Sequence, residues 1–259
     1  MTGKLSFTLL LVAACGTLPP LRGKIAVGRE PYAVFVGGSG VSGDLYAVRG
    51  EGGPVYPLTF TPVAELRPAL SPAGVEVAFL RGVSLRDSTP ATVWVLNLLN
   101  GADRELSLPD GAGRPERLAW TPDGSSLLVQ TSGGIYRIGA PPGKPNPQPV
   151  PPEERAAAES TLAVLLGDPI FARVIPCQRE EDLCVVTRRG RPSILAQSAS
   201  DPVRWGSDSV AFFTHDLLQI RPLARGRPRL LHLSNAPARP RQPTFFEGRP
   251  STEPAQDRM

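Results

Sequence analysis

An all-β fold of repeated four-stranded units closed into a ring is what this sequence predicts. Three observations carry it: strand-like segments recur at near-constant spacing, a proline-glycine turn recurs in the same phase, and helix breakers are abundant. The 259 residues include 30 prolines and 26 glycines. Proline interrupts helices and glycine favours turns, so many short strands are expected. With 41% hydrophobic and 20% charged residues, the chain has material for a real core and is not disordered overall.

Five segments read as strands: Asp44-LYAV, Thr92-VWVL, Gly134-IYRI, Asp182-LCVV and Leu217-LQI, spaced by 48, 42, 48 and 35 residues. A period of about 40 to 50 residues is that of a propeller blade. The turns keep the same phase. Ala69-LSPAGVEVAFL and Ala119-WTPDGSSLLVQ each carry an apolar strand, Ser/Thr-Pro-x-Gly and a second strand. Pro72 or Pro122 presets φ near −65°, and Gly74 or Gly124 takes the positive φ a tight hairpin needs. Val203-RWGSDSVAFF is a worn copy without the proline, and Thr244-FFEGRP is a further candidate. A β-sandwich would also be all-β, but it would not explain turns repeated in phase.

These units resemble the TolB-like β-propeller repeat, whose blades carry a D-[IL]-[YW]-V strand, a G-G…L-T stretch, A-W-[ST]-P-D-G and I-A-F. The first copy here has Asp44-LYAV, Gly52-GPVYPLT and Leu70-SPAGVEVAF; the second has Val93-WVL, Arg104-ELSL and Trp120-TPDGSSLLV. The match is good over 44–130 and passable over 182–233. Between them lie a Pro-rich insert at 140–154 and an Ala-rich stretch, Ala156–Leu166, read as a short helix, with Thr161–Leu166 and Ile170–Ile175 as strands. The expectation is a β-propeller of about five four-stranded blades, with six or an incomplete ring as alternatives. The unit from Leu217 runs short of an outer strand, and an N-terminal strand, Lys24-IAV or Tyr32-AVFV, is expected to complete the last blade. Residues 24–233 then form the propeller, and 234–259 a tail rich in Pro and Arg that contributes a last strand near 243–247.

The N-terminus sets the expected compartment. An apolar run from Leu5 to Ala14 follows Lys4; it is about half the roughly 20 residues a membrane span needs, and suits a secretion signal. Its end, Val12-Ala13-Ala14-Cys15, resembles a bacterial lipobox. That resemblance implies removal of residues 1–14, lipid on the Cys15 thiol and a tether over 15–23 holding the protein to an envelope membrane. Two acyl chains hold stably where one does not. Gly16 lacks the aspartate that retains enteric lipoproteins in the inner membrane, so the outer membrane is favoured. Only 28 residues separate Cys15 from Asp44, too few for the N-terminal α/β domain of TolB, so TolB's partner role is not carried over.

With Cys15 assigned to lipid, Cys177 and Cys184 remain. If Arg173–Pro176 and Leu183–Val186 pair antiparallel, the turn between them brings the two sulfurs together, and an exported protein permits the disulfide. Two buried thiols or a metal pair are the alternatives. Zinc would need further ligands, and His215 and His232 offer no matching spacing.

Little else carries chemistry. Gly37-GSGVSG lacks the nucleophile-elbow spacing. His215 and Asp216 are adjacent, and neighbours on a strand face opposite sides, so His215 reads as a turn residue. Glu153-Glu154 and Glu180-Glu181-Asp182 read as solvated turns; Asp44, Asp123 and Asp182 hold repeat positions with capping or turn roles. Trp94, Trp120 and Trp205 read as core, with a stacking site in the central funnel as the less expected role. The net charge is +4 and the pI about 9.2, yet only three residues are lysine. No basic helix or aromatic-basic interleaving appears, so nucleic acid is not expected. The sequence therefore predicts a lipid-anchored module that binds protein or glycan without catalysis or cofactor. The alternative is a small metal-dependent propeller enzyme, of lactonase or lyase type, with its site in the funnel.

Overall fold

The computed structural model describes residues 21–38, 43–82, 91–139, 146–162, 174–176, 183–186, 192–197, 199–205, 209–215, 217–223 and 226–248. Residues 1–20, and with them the leader and Cys15, lie outside the described residues. The strands are β1 (Tyr32–Gly37), β2 (Asp44–Arg49), β3 (Gly53–Pro54), β4 (Tyr56–Pro57), β5 (Ala64–Leu70), β6 (Glu76–Gly82), β7 (Thr92–Asn97) and β8 (Asp103–Leu106). They continue with β9 (Pro115–Trp120), β10 (Ser126–Thr131), β11 (Gly134–Gly139) and β12 (Pro147–Pro149). After a helix, α1 (Arg155–Leu162), come β13 (Val174–Pro176), β14 (Leu183–Val186), β15 (Pro192–Ala196), β16 (Ser200–Trp205), β17 (Ser209–Thr214), β18 (Leu217–Pro222), β19 (Arg229–Ser234) and β20 (Arg241–Phe246).

They form five sheets, with strand orders β20-β1-β2-β4, β5-β6-β7-β8, β9-β10-β11-β12, β13-β14-β15 and β16-β17-β18-β19-β3. The expected period is present: the five repeated segments become β2, β7, β11, β14 and β18, the third strand of their sheets except β14, which is the central strand of the three described in its sheet. Both turns are hairpins as expected. Gly74 and Gly124 have φ of 63° and 70°, and their N–H groups donate to the carbonyls of Ser71 and Thr121 at 2.8 Å.

Alternation along the second strands explains how the blades stack. In β1, Val34 and Val36 pack with Val77 and Phe79 of β6, while Ala33 and Phe35 pack with Ala211 and Phe213 of β17. In β6, Ala78 and Leu80 turn the other way, onto Leu127 and Val129 of β10. In β17, Val210 and Phe212 meet Ala196 and Ala199. Successive residues on one strand thus serve different blades, which is why these strands read as unbroken apolar runs. Phe35, Phe79 and Phe212 are fully buried, each stabilising by about 1.5–3 kcal/mol relative to exposure. Beyond β10, Leu128 and Ile135 pack against Ala158 of α1, so the helix covers the face of that blade turned away from β6.

The ring is closed by the two ends of the propeller. β20 pairs with β1, Tyr32 opposite Phe246 and Val34 opposite Thr244. The N-terminal strand therefore completes the blade whose inner strand is C-terminal, as the sequence implied. Of the two candidates, Tyr32-AVFV is the closing strand, and residues 24–27 form no strand. Three details differ from expectation. The unit from Leu217 has its own outer strand, β19, because Leu231 and Leu233 keep the inward alternation. The Pro-rich insert supplies β12, paired with β11, since its edge position needs few ladder N–H groups. Thr161 and Leu162 end α1 and do not begin a strand.

Candidate functional site

The inner strands β5, β9, β16 and β20 converge on an axial cavity of about 570 Å³. Its wall is the C-terminal ends of β5, β9 and β20, with Val203 of β16 and Thr161 and Leu162 of α1. Inner strands have an open edge, and an unpaired edge is a liability. Here side chains of neighbouring blades cover it. The Arg67 N–H donates to Gln242 Oε1 at 2.8 Å and the Leu70 N–H to Thr244 Oγ1 at 3.1 Å. From the neighbouring blade on the other side, Trp120 Nε1 donates to the Ala69 carbonyl at 2.9 Å.

That arrangement decides what the cavity offers a ligand. Ser71 Oγ accepts from the N–H groups of Val75 and Glu76, and Thr161 donates to the Ala157 carbonyl. Thr244 and Trp120 are engaged as above. Each hydroxyl and the indole of the wall already serves backbone: Thr161 and Trp120 as donors, Ser71 and Thr244 as acceptors that each keep one O–H. The rest is apolar surface from Leu70, Leu118, Leu162, Phe245 and Phe246, plus one carboxylate at the rim, Glu247. Phe246 lies 5.7 Å from the Tyr32 ring, and Phe245 meets Trp205 edge-on at 4.0 Å. The aromatic wall is held by packing.

A second polar cluster lies at the start of β5. Glu65 is fully buried. Its carboxylate accepts from the Thr59 hydroxyl and from Arg81 Nη2 at 2.8 Å, and Arg81 also pairs with Asp103 at 3.1 Å. The guanidinium sits 4.1 Å over the Trp94 ring and 5.1 Å over that of Phe79. Burial pushes the Glu65 carboxyl above its ordinary range, opposed by the Thr59 hydroxyl and Arg81. Asp44 is likewise raised by burial, while the Thr61 N–H pulls it back. These groups join blades and fix the 58–65 connection; their partners are all protein.

The residues singled out from sequence are scattered. Cys15, Cys177, Asp182, Glu180, Glu181 and Asp216 lie outside the described residues. Cys184 is buried in β14, which pairs antiparallel with β13 through Ile175 opposite Cys184. His215 holds φ of 57° in the hairpin between β17 and β18, a turn residue as read. His232 is on β19, far from the cavity lining. Glu154 pairs with Arg137. Asp123 accepts hydrogen bonds from Thr121 and Ser125, which hold its carboxyl down to about 2. Trp94 packs at Arg81, and Trp120 joins both roles considered for it, core and cavity wall. Among the described residues no three His, Cys, Asp or Glu side chains gather as a metal site. Thr244-FFEGRP and the strand expected near 243–247 become β20, but its place in a cavity wall and the Glu65–Arg81 pair were not read from the sequence.

No family model matches the chain, and no curated protein matches it. Among solved structures it is similar to TolB from Acinetobacter baumannii, at 15% identity over 83% of this chain and 66% of that one, with a TM-score of 0.45. A putative TolB from Agrobacterium tumefaciens gives 14% identity over 78% and 60%, with a TM-score of 0.34. The tricorn protease gives 14% over 90% of this chain and 24% of that one, with a TM-score of 0.38. The chain thus spans less than two thirds of the length of the two TolB structures. The propeller assignment rests on the blade order and the shared cavity. Among the described residues no helix is long and apolar enough to cross a membrane.

Proposed function

We propose that this chain is a non-catalytic binding module of the bacterial cell envelope whose axial cavity receives an apolar segment of a protein partner. The observation that carries the reading is the state of the cavity wall. Its hydroxyls and indole N–H already serve backbone, leaving two O–H donors, on Ser71 and Thr244, so a sugar would bury most of its hydroxyls without partners, at a cost of about 1–3 kcal/mol each. Leucine- or phenylalanine-like side chains need none. A volume of about 570 Å³ is in the range of ligand pockets and accommodates a few such side chains.

The tether belongs to the same proposal: residues 1–14 are a leader, Cys15 carries lipid, and the propeller is held at the outer membrane, with Cys177 and Cys184 disulfide-bonded. The deciding experiment places a photo-crosslinking residue at Thr244 or, as a control, at the exposed Glu105, in cells. The expected result is a discrete adduct from position 244 that disappears when Ala119→Trp fills the cavity. Equal labelling from both positions, or an adduct insensitive to the filled cavity, would overturn the site. Palmitate labelling lost in Cys15→Ser, and alkylation of thiols without reductant, test the anchor and the cysteine pair separately.

A further inference from the structure

The arginines divide by strand in an unexpected way. On second, third and outer strands every described arginine is engaged. Arg49 faces Glu30, Arg81 faces Glu65 and Asp103, Arg104 faces Glu76 and Arg137 faces Glu154. Arg221 donates to the Leu195 carbonyl and Arg229 to that of Gly50. On the inner strands the reverse holds. Among the described residues, the side chains of Arg67 on β5, Arg117 on β9 and Arg241 on β20 form no hydrogen bond or ion pair with protein. Of the inner-strand carboxylates whose side chains are described, Glu65 on β5 is taken by Arg81 and Glu116 on β9 is open. Three free arginines against one open carboxylate leave a net positive charge on the inner strands.

The backbone at this level is also unusual. Arg67 and Gln242 hold φ of 53° and 52°, each immediately before a proline, and both strands slip register there. A bulge of this kind re-aims side chains, and strained residues concentrate at sites of function. The two are locked together by the Arg67 N–H on Gln242 Oε1. Arg241 is close by: a Cβ on Gly43 would lie 3.0 Å from its Nη2 and 3.5 Å from the Glu65 carbonyl. Its guanidinium thus stands beside the start of the strand that carries Arg67.

We infer that Arg67 and Arg241, with Arg117 on the next blade, form a site for a small oxyanion, a carboxylate or phosphate group, at the end of the axis opposite the hairpin turns. Guanidinium forks match both groups bidentately. The site is separate from the apolar cavity and does not depend on it. It is tested on the purified propeller by calorimetry with succinate and with inorganic phosphate, at low ionic strength so that screening is small. Saturable binding of one probe is expected, weakened about tenfold or more in Arg67→Gln/Arg241→Gln, as loss of charge-assisted bonds requires. Arg104→Gln and the cavity-filling Leu162→Trp, on α1, should leave it unchanged. Tighter succinate assigns a carboxylate ligand, and tighter phosphate a phosphate ligand. Absence of saturable binding, an unaffected double variant, or loss of binding in Leu162→Trp overturns the inference. If the double variant does not fold, Arg117→Gln alone should still weaken binding, and its failure to do so counts equally against the site.

Discussion

Replacing Gly74 by alanine tests whether the ring is sealed where the hairpin of one blade meets the inner strand of the next. Gly74 and Gly124 occupy the same turn with φ of 63° and 70°, so both pay for a left-handed alanine, about 1–2 kcal/mol, partly offset by a stiffer unfolded chain. They differ in surroundings. A Cβ at Gly74 would lie 2.5 Å from the Phe246 ring, whereas at Gly124 it would meet nothing nearer than Pro72 at 3.5 Å. The ring must retreat by most of an ångström, and Tyr32, whose hydroxyl donates to the Gly74 carbonyl at 2.6 Å, stands against it. Overpacking of this kind costs about 1–3 kcal/mol. The expected loss is then about 1 kcal/mol for Gly124→Ala and roughly 2–4 kcal/mol for Gly74→Ala, from the sum of those two costs. Urea unfolding followed by tryptophan fluorescence measures both. In a Phe246→Leu background the Gly74→Ala penalty should fall towards that of Gly124→Ala. Equal losses in the two single variants would refute the seal.

Trp120→Phe should cost about 1–3 kcal/mol, because the ring is kept while the buried Ala69 carbonyl loses its donor; thermal unfolding reads it. Glu65 has a second consequence. A carboxyl raised by burial adds stability that is fully present below its ordinary value of about 4.3 and is lost as pH rises through the folded value. Wild type should therefore lose stability relative to Glu65→Gln as pH rises above about 4.3, measured by urea unfolding. Wild type gaining on the variant as pH rises would show that Arg81 outweighs desolvation. Asp123 should titrate near 2 by NMR, and Ser125→Ala should move it back towards the ordinary carboxylate range.

The period of the fold was legible because blades reuse one local solution: the apolar third strand and the proline-glycine hairpin are specified within a dozen residues. Closure was legible too, since Tyr32-AVFV is apolar on both faces and needed two neighbours. The inner strands were harder. β20 reads RQPTFF, with a proline and a left-handed glutamine; Thr244-FF suggested a strand near 243–247, but its start at Arg241 and its inner position come from its partner β1 and the edge of β5. Glu65 and Arg81 stand 16 residues apart, joined only by pairing of β5 with β6. The cavity chemistry was illegible for the same reason, because what Thr244 and Ser71 offer a ligand depends on which backbone groups they already serve.

The pairing of β20 with β1 joins strands that lie far apart along the chain. Gln242 reaches Arg67 across 175 residues of chain. A chain that emerges N-terminus first must therefore carry β1 with one edge bare until β20 arrives. Assembly is all-or-nothing in time as well as in space: a stop anywhere before residue 241 removes the whole inner strand beside β1 and with it one wall of the cavity. Quality control of this molecule thus has one late checkpoint, the arrival of a six-residue strand.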